Sequence, residues 1–281
     1  MNRLLKIGQR VDKLGFLWYN NTNSFGFLYL RKRDLDGRDR MARFFDLHSH
    51  MLCGVDDGAN TPEEMYAMLE MAYEDGIRAI CLTPHYSPYL FGDTYERSEE
   101  SFAMLQAYVA EKHPDMRLFL GHELGYHHSC PESLDSGRCR TIAGGRYLLV
   151  DFPEMVEFFE IQKAMDQLQG SGYFPILAHT ERYRCLAKHM DWVEEFVDRG
   201  GVVQVNASSV AGSWGMHAKK QWKKLFKMGL IHLISTDAHN LTTRPPKMSV
   251  CMDFLTKHCS PEGVRMLTWD NACRIVKNER L

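Results

Sequence analysis

From Phe44 onward the chain repeats one unit, a short apolar run followed by a longer stretch of helical periodicity. That alternation is the pattern of β/α units feeding a parallel sheet. The runs are Phe44–Leu47, Arg78–Thr83, Arg117–Leu120, Arg146–Asp151, Phe174–Ala178, Val202–Asn206 and Ile231–Ser235. The intervening stretches carry helix signals. Thr61, Pro62 and Glu64 form a capping-box pattern with proline in the first turn, Gly76 closes that helix, and Gly170 and Gly200 are further stops. No Pro/Gly/Ser-rich linker interrupts this region, so residues 44–281 read as one domain. Seven units in about 240 residues suit a TIM-like (β/α)7 barrel, for which about 250 residues is typical.

Composition narrows the class. At 44% hydrophobic and 25% charged residues the chain is an ordinary globular protein rather than a disordered or fibrous one. No run approaches the ~18 apolar residues of a membrane span. The net charge of −2 hides an asymmetry: the first 45 residues hold ten Lys/Arg against four Asp, leaving 24 Lys/Arg against 32 Asp/Glu, or −8, for the rest. An acidic body opposes nucleic-acid binding, which draws on clustered Lys/Arg. The eight cysteines are scattered with no C-x-x-C pair, which fits reduced thiols in a cytoplasmic protein.

Residues 1–43 read as a separate basic extension. Their most apolar stretch, Gly15–Leu30, is broken by Asn20, Asn21, Asn23 and Ser24, so it is no signal peptide and export is not expected. It reads as two short strands around the asparagines, a hairpin marginal on its own. Met41 stands five residues before Asp46, and the segment before it is expected to be dispensable.

The decisive feature is where the ligand-type residues fall. The runs end in Asp46-Leu47-His48-Ser49-His50, Thr83-Pro84-His85, Gly121-His122-Glu123, Asp151-Phe152-Pro153, Ala178-His179-Thr180-Glu181-Arg182 and Ser235-Thr236-Asp237-Ala238-His239. In a β/α barrel the C-terminal strand ends meet at one rim, so groups distant in sequence converge there. Each motif alone has an ordinary structural explanation. Together, so many His and carboxylate groups at six of seven strand ends are costly as uncompensated buried charges, and a metal cluster compensates them. Other histidines read differently. His122 should face away from the metals, His127 and His128 line the rim, His232 packs at the far end of its strand, and His113, His189, His217 and His258 lie on helical surfaces. Met65, Met68 and Met71 fall at helical spacing and read as core.

These residues resemble the polymerase and histidinol phosphatase (PHP) superfamily. The matching motifs are D-L-H-S-H at 46–50, T-P-H at 83–85, the Glu of G-H-E at 121–123, A-H at 178–179 and D-A-H at 237–239. More closely, the chain resembles the manganese-dependent protein tyrosine phosphatases of bacterial capsule and exopolysaccharide operons. That match rests on G-V-D-D-G-A at 54–59 with T-P-E-E-M after it, A-H-T-E-R-Y at 178–183, V-N-A-S-S at 205–209 and D-A-H-N-L-T-T-R-P-P at 237–246.

The resemblance implies a distorted barrel of the PHP type with a trinuclear site. His48, His50, Glu123 and Asp237 would hold one ion, Glu123, Asp151 and His179 a second, and Asp57, His85 and His239 a third. Relatives often carry Glu where this chain has Asp151, one methylene shorter. The mixed donor set suits Mn, Fe or Zn without choosing among them, and the resemblance puts Mn first. Metal ions would activate water and clamp the phosphate, so no protein nucleophile is needed. The C-x5-R loop of cysteine phosphatases is absent after Cys130. Arg182 and Arg244 would bind phosphate oxygens, while Tyr86, Tyr89, Phe91 and Tyr126 near the rim favour an aromatic guest. The implied substrate is a phosphotyrosine protein, the tail of a bacterial tyrosine kinase. The alternatives are a small-molecule phosphatase such as histidinol phosphatase, or a non-catalytic metal-binding module.

Overall fold

The computed structural model describes residues 43–127 and 130–281. The basic extension, its hairpin and Met41 lie outside the described residues, as does His128. Every one of the seven apolar runs forms a strand, but two of them break. The strands are β1 (Phe44–Ser49), β2 (Ile77–Leu82), β3 (His85–Tyr86), β4 (Arg117–Leu120), β5 (Glu123–Gly125), β6 (Tyr147–Asp151), β7 (Phe174–Leu177), β8 (Val202–Asn206) and β9 (Leu233–Ser235). β3 continues β2 beyond Thr83-Pro84, where proline supplies no amide to a ladder. β5 continues β4 beyond Gly121-His122. Gly121 sits where a Cβ would fall 2.8 Å from Ile142 Cδ1, so a larger residue at this step would have to push that side chain aside.

The strands make two parallel pieces, ordered β1-β2-β4 and β3-β5-β6-β7-β8-β9. The wall runs on across both breaks, because Gly121 N–H donates to Leu82 O (2.9 Å) and Glu123 N–H to Pro84 O (3.0 Å). Closure back to β1 is thinner. Ser49 and Ala238 form a parallel bridge. Beside it His50 N–H donates to Ala238 O (2.8 Å) and Asp237 N–H to His48 O (2.9 Å). The result is the expected TIM-like barrel, distorted at two strands.

Helices occupy the crossovers and the C-terminal end: α1 (Pro62–Glu74), α2 (Pro88–Phe91), α3 (Tyr95–Lys112), α4 (Cys130–Asp135), α5 (Phe158–Gly170), α6 (Met190–Asp198), α7 (Ala207–Ala211), α8 (Gly215–Met228), α9 (Met252–His258), α10 (Pro261–Arg265) and α11 (Asn271–Val276). At the start of α1, Thr61 Oγ1 accepts the Glu64 N–H (3.2 Å), as the cap pattern predicts. The return bond from Glu64 goes to Asn60 N–H, one residue earlier than a capping box requires.

Both faces of the sheet are buried, which is why the runs read as continuously apolar. Alternate residues feed two clusters. Ile80, Leu82, Leu148, Val150 and Leu177 pack with Met65, Met68 and Leu69 of α1 and Ile161 and Met165 of α5. Phe45, Leu47, Ala79, Cys81, Leu149 and Ile176 pack with Ala272 and Ile275 of α11. His232 is buried, as expected, with its Nδ1 accepting the Val203 N–H (3.2 Å). His113 and His189 depart from the surface expectation: His113 stacks on Tyr73 and reaches Glu70, and His189 stacks on Phe158. Their imidazoles supply flat apolar faces that aromatic neighbours cover.

Candidate active site

The strand ends bring all nine ligand-type residues to one place. His48 and His50 extend from β1, Asp57 from the loop after it, His85 from β3 and Glu123 from β5. Asp151 comes from the end of β6, His179 from just beyond β7, and Asp237 and His239 from just beyond β9. Glu123 is the hub. Its Oε1 lies 3.2 Å from His48 Nε2 and 3.1 Å from His179 Nε2. Its Oε2 lies 3.1 Å from both His50 Nε2 and His85 Nδ1. Asp237 Oδ1 stands 3.4 Å from His48 Nε2 and 3.6 Å from His50 Nε2. Asp57 Oδ1 stands 3.6 Å from His85 Nε2 and 3.4 Å from His239 Nε2. His179 Nε2 is 3.5 Å from Asp151 Oδ1.

Three sets of donor atoms lie within 4.8 Å of one another: His48, His50 and Glu123; His85, Glu123 and Asp151; and His50, Asp57, His85 and His239. The grouping differs from the expected one in detail. His50 and His85 each fall in two sets, as Glu123 does, because the His50 ring lies 4.5 Å from that of His85 and 4.0 Å from that of His239, while His179 and Asp237 fall in none.

A proton inventory shows what the cluster accepts. Gln204 Oε1 takes the backbone N–H of His179 (2.7 Å), so it is an acceptor, and His48 Nδ1 (3.2 Å) must donate to it. His50 Nδ1 likewise donates to Asp56 Oδ2 (2.7 Å). With a single proton on each ring, both turn Nε2 lone pairs toward each other, 3.0 Å apart, and toward two carboxylates. Asp237 Oδ1, buried, has no hydrogen-bond partner. Lone pairs crowded this closely require a positive charge between them, and the donor set fits divalent cations.

Protons on the rings supply such a charge as well: against the cost of burial, Glu123 and Asp237 raise His48, and Asp56 and Glu123 raise His50 well above the ordinary histidine value. Burial would raise the Glu123 carboxyl, but the imidazoles of His48 and His85 outweigh it and hold the group well below the usual range. Asp237 behaves alike, with His48, Arg182 and Arg244 overcoming burial. Asp151 differs: burial, reinforced by the charge of Glu123, pushes it up to about 7. Burial also pulls His179 down to about 4, with Arg182 adding to it. His179 and Asp237 both hold positive φ (28° and 55°), uncommon for non-glycine residues and a kind of strain that gathers at functional sites.

Arg182 and Arg244 enter the same cavity, of about 280 Å³, lined also by Phe152, Tyr183 and Trp214. Arg182 donates to Asp237 Oδ2 (2.7 Å), Arg244 Nη2 forms an ion pair with the same oxygen at 2.6 Å, and Asn206 Nδ2 donates to it at 2.8 Å. Asp237 thus turns one oxygen to the arginines and the other to the histidines.

Sequence reading missed the supporting residues. Asp56, next to Asp57, accepts from His50 and from the amides of His85 (2.8 Å) and Gly58 (3.0 Å). Gln204 and Asn206 lie on β8, the one of the seven runs that ends in no His, Asp or Glu, and link His48 to Asp237 through Gln204 Nε2–H to Asn206 Oδ1 (2.8 Å). Tyr183 O–H donates to Asp151 Oδ1 (3.0 Å). One rim expectation changes: Tyr86 is buried against His122, away from the cavity, whereas Phe91 keeps to the rim, stacked on His85. His122 does face away, its Nδ1 accepting from Arg140 N–H.

Fold and site together define the class, a parallel β/α barrel with a metal-type cluster of histidines and carboxylates at its C-terminal rim. The chain belongs to the CpsB/CapC family of capsular polysaccharide synthesis, whose family model matches residues 44–277. It is 29% identical over 239 residues to the tyrosine-protein phosphatase CpsB of Streptococcus pneumoniae, covering 83% of this chain and 98% of that one. It is 27% identical over 240 residues to the tyrosine-protein phosphatase YwqE of Bacillus subtilis, covering 84% and 92%. A crystal structure from work on these two proteins, described as unique metal-dependent tyrosine phosphatases, superposes with a TM-score of 0.75 at 26% identity, covering 84% of this chain and 96% of that one.

Proposed function

We propose that this protein is a metal-dependent phosphomonoester hydrolase acting on phosphotyrosine in proteins. The carrying observation is that nine metal-type residues gather at one rim, five of them lining one cavity with two arginines, in a chain that aligns with tyrosine-protein phosphatases over nearly their whole length. His48, His50, Asp57, His85, Glu123, Asp151, His179, Asp237 and His239 would hold three divalent ions, Mn first among the candidates. When bound, the ions supply Lewis-acid polarisation of the phosphoryl group and a water of lowered pKa. Arg182 and Arg244 bind the phosphate oxygens as planar forks. Phe152, Tyr183 and Trp214 wall the reacting centre from bulk water. Cys130 is a poor nucleophile, since burial pushes its thiol up to about 11.

The rim supports a polypeptide substrate over a small metabolite. Tyr89, Leu90, Met155 and Met216, all in segments beside cavity residues, leave 72–79% of their surface exposed, an apolar margin a small polar ester would not need. The phosphorylated tail of a bacterial tyrosine kinase in capsule or exopolysaccharide assembly is the partner we infer, and the cytoplasm the compartment. Among the described residues no helix is long and apolar enough to cross a membrane. The test is turnover of a phosphotyrosine peptide against histidinol phosphate after metal loading. Preference for the peptide, lost on chelation and absent in Glu123→Ala, supports the reading; preference for histidinol phosphate overturns it.

A further inference from the structure

Trp214 belongs to none of the strand-end motifs, yet it forms a wall of the cavity. It sits in the turn between α7 and α8, at the N-cap of α8, between Gly212 (φ 101°) and Gly215 (φ 76°), both in the left-handed region that favours glycine. The turn is tied down. Gly212 N–H donates to Ser209 O (3.0 Å) and Ser213 N–H to Ser208 O (2.9 Å), while the indole N–H of Trp214 donates to Ser208 Oγ (2.9 Å). The ring therefore has a fixed orientation. Arg182 Cζ lies 3.7 Å from its centroid and Arg244 Cζ 5.9 Å.

This placement answers a physical difficulty. Two guanidinium groups meet on one oxygen of Asp237, where their like charges repel. Arg182 Nε and Arg244 Nε are both buried without a hydrogen-bond partner, so each fork retains an unused donor. Attraction to the ring face favours holding the cations where they are.

We propose that Trp214 is a positioning residue for phosphate recognition: its ring braces Arg182, and through it Arg244, so that their unused donors meet the phosphoryl oxygens. The inference rests on the reading of both arginines as phosphate ligands. It assigns Trp214 no contact with a metal ion and no part in bond cleavage.

The experiment uses the metal-loaded full chain and titrates inorganic phosphate calorimetrically, beside steady-state kinetics on a phosphotyrosine peptide. Trp214→Ala should weaken phosphate binding and raise KM by roughly 5- to 30-fold with kcat and metal content nearly unchanged, the range expected of a partly desolvated cation–π contact. Trp214→Phe, which keeps an aromatic face, should recover most of the loss. Ser208→Ala, which frees the indole without removing it, should show a smaller effect of the same sign, and it stands in if Trp214→Ala does not fold. Phosphate affinity within about twofold of wild type in Trp214→Ala, or in Ser208→Ala where that stands in, overturns the proposal. So does a Phe variant as impaired as the Ala variant, or a loss confined to kcat. A wild-type chain that binds phosphate but leaves the peptide untouched would count against the phosphotyrosine reading instead, and the phosphate titrations would still judge Trp214.

Discussion

Replacing Asp56 by Asn tests whether the cluster depends on a residue that ligates nothing. The carboxylate receives three N–H groups, two on Oδ2, from His50 Nδ1 and the His85 amide, and one on Oδ1, from the Gly58 amide. Asparagine offers one acceptor oxygen. Placed at the Oδ2 position it keeps two bonds but turns its NH2 toward the Gly58 N–H, donor against donor. One hydrogen bond is lost, one buried donor is left unpaired, and the bond from His50 loses its charge assistance, for a total of about 2–3 kcal/mol. Part of that falls on the loop and part on the orientation of His50. Changes to such supporting partners typically cost about 10- to 100-fold in metal affinity, and that is the expected loss here. Metal-titrated activity, with bound metal measured alongside, is the assay. Activity should return largely at high metal concentration, because the ligands themselves remain. An unchanged metal-activation midpoint would refute the idea that Asp56 orients His50.

Arg182→Ala and Arg244→Ala should each lower turnover of phosphotyrosine peptide about ten- to a hundredfold, as expected for a lost charge-assisted contact, with little change in melting temperature; full activity in either would remove it from the phosphate site. A methyl group at Gly58 would fall 1.6 Å from His50 O, so Gly58→Ala must displace the loop carrying Asp56 and Asp57. It should cost about 1–3 kcal/mol by unfolding and lower metal content, whereas a wild-type melting curve would contradict the packing described. Burial lowers His232 to about 4, so as pH falls below the ordinary value near 6.5 the unfolded chain takes up a proton that the folded chain refuses. Stability attributable to this group should drop by about 2 kcal/mol between pH 7 and pH 5, and urea unfolding of His232→Asn should lack that part of the pH dependence. Finally, a chain begun at Met41 should match the full chain in metal content and peptide turnover; a large loss of either would make the basic segment functional.

The barrel was legible because strands buried on both faces advertise themselves as apolar runs, and because Asp46, His48 and His50 mark where the first of them meets the rim. The breaks were not. Pro84 and Gly121 each signal a local irregularity, but only the packed neighbours show that β3 and β5 carry the ladder onward. Charged ligands stood out in the sequence because a buried charge demands explanation. Gln204, Asn206 and Trp214 carry no such signal, since an amide or an indole in an apolar segment is unremarkable until its partner is known. Tyr86 erred for a related reason: position near a ligand does not fix which side of a two-residue strand a ring takes.

The thin closure between β9 and β1 has a consequence for the life of the molecule. Little backbone pairing spans that seam, yet His48 and His50 stand on one bank and Asp237 and His239 on the other. Cations shared across it would act as a clasp, and the barrel would then draw its closure partly from the surrounding ion supply. By mass action the gain is about 2.7 kcal/mol when free metal exceeds its dissociation constant a hundredfold, and it vanishes under starvation. Amide exchange should then quicken first in β1 and in the residues just after β9. Scarcity of metal would mark this protein for turnover as well as silence it.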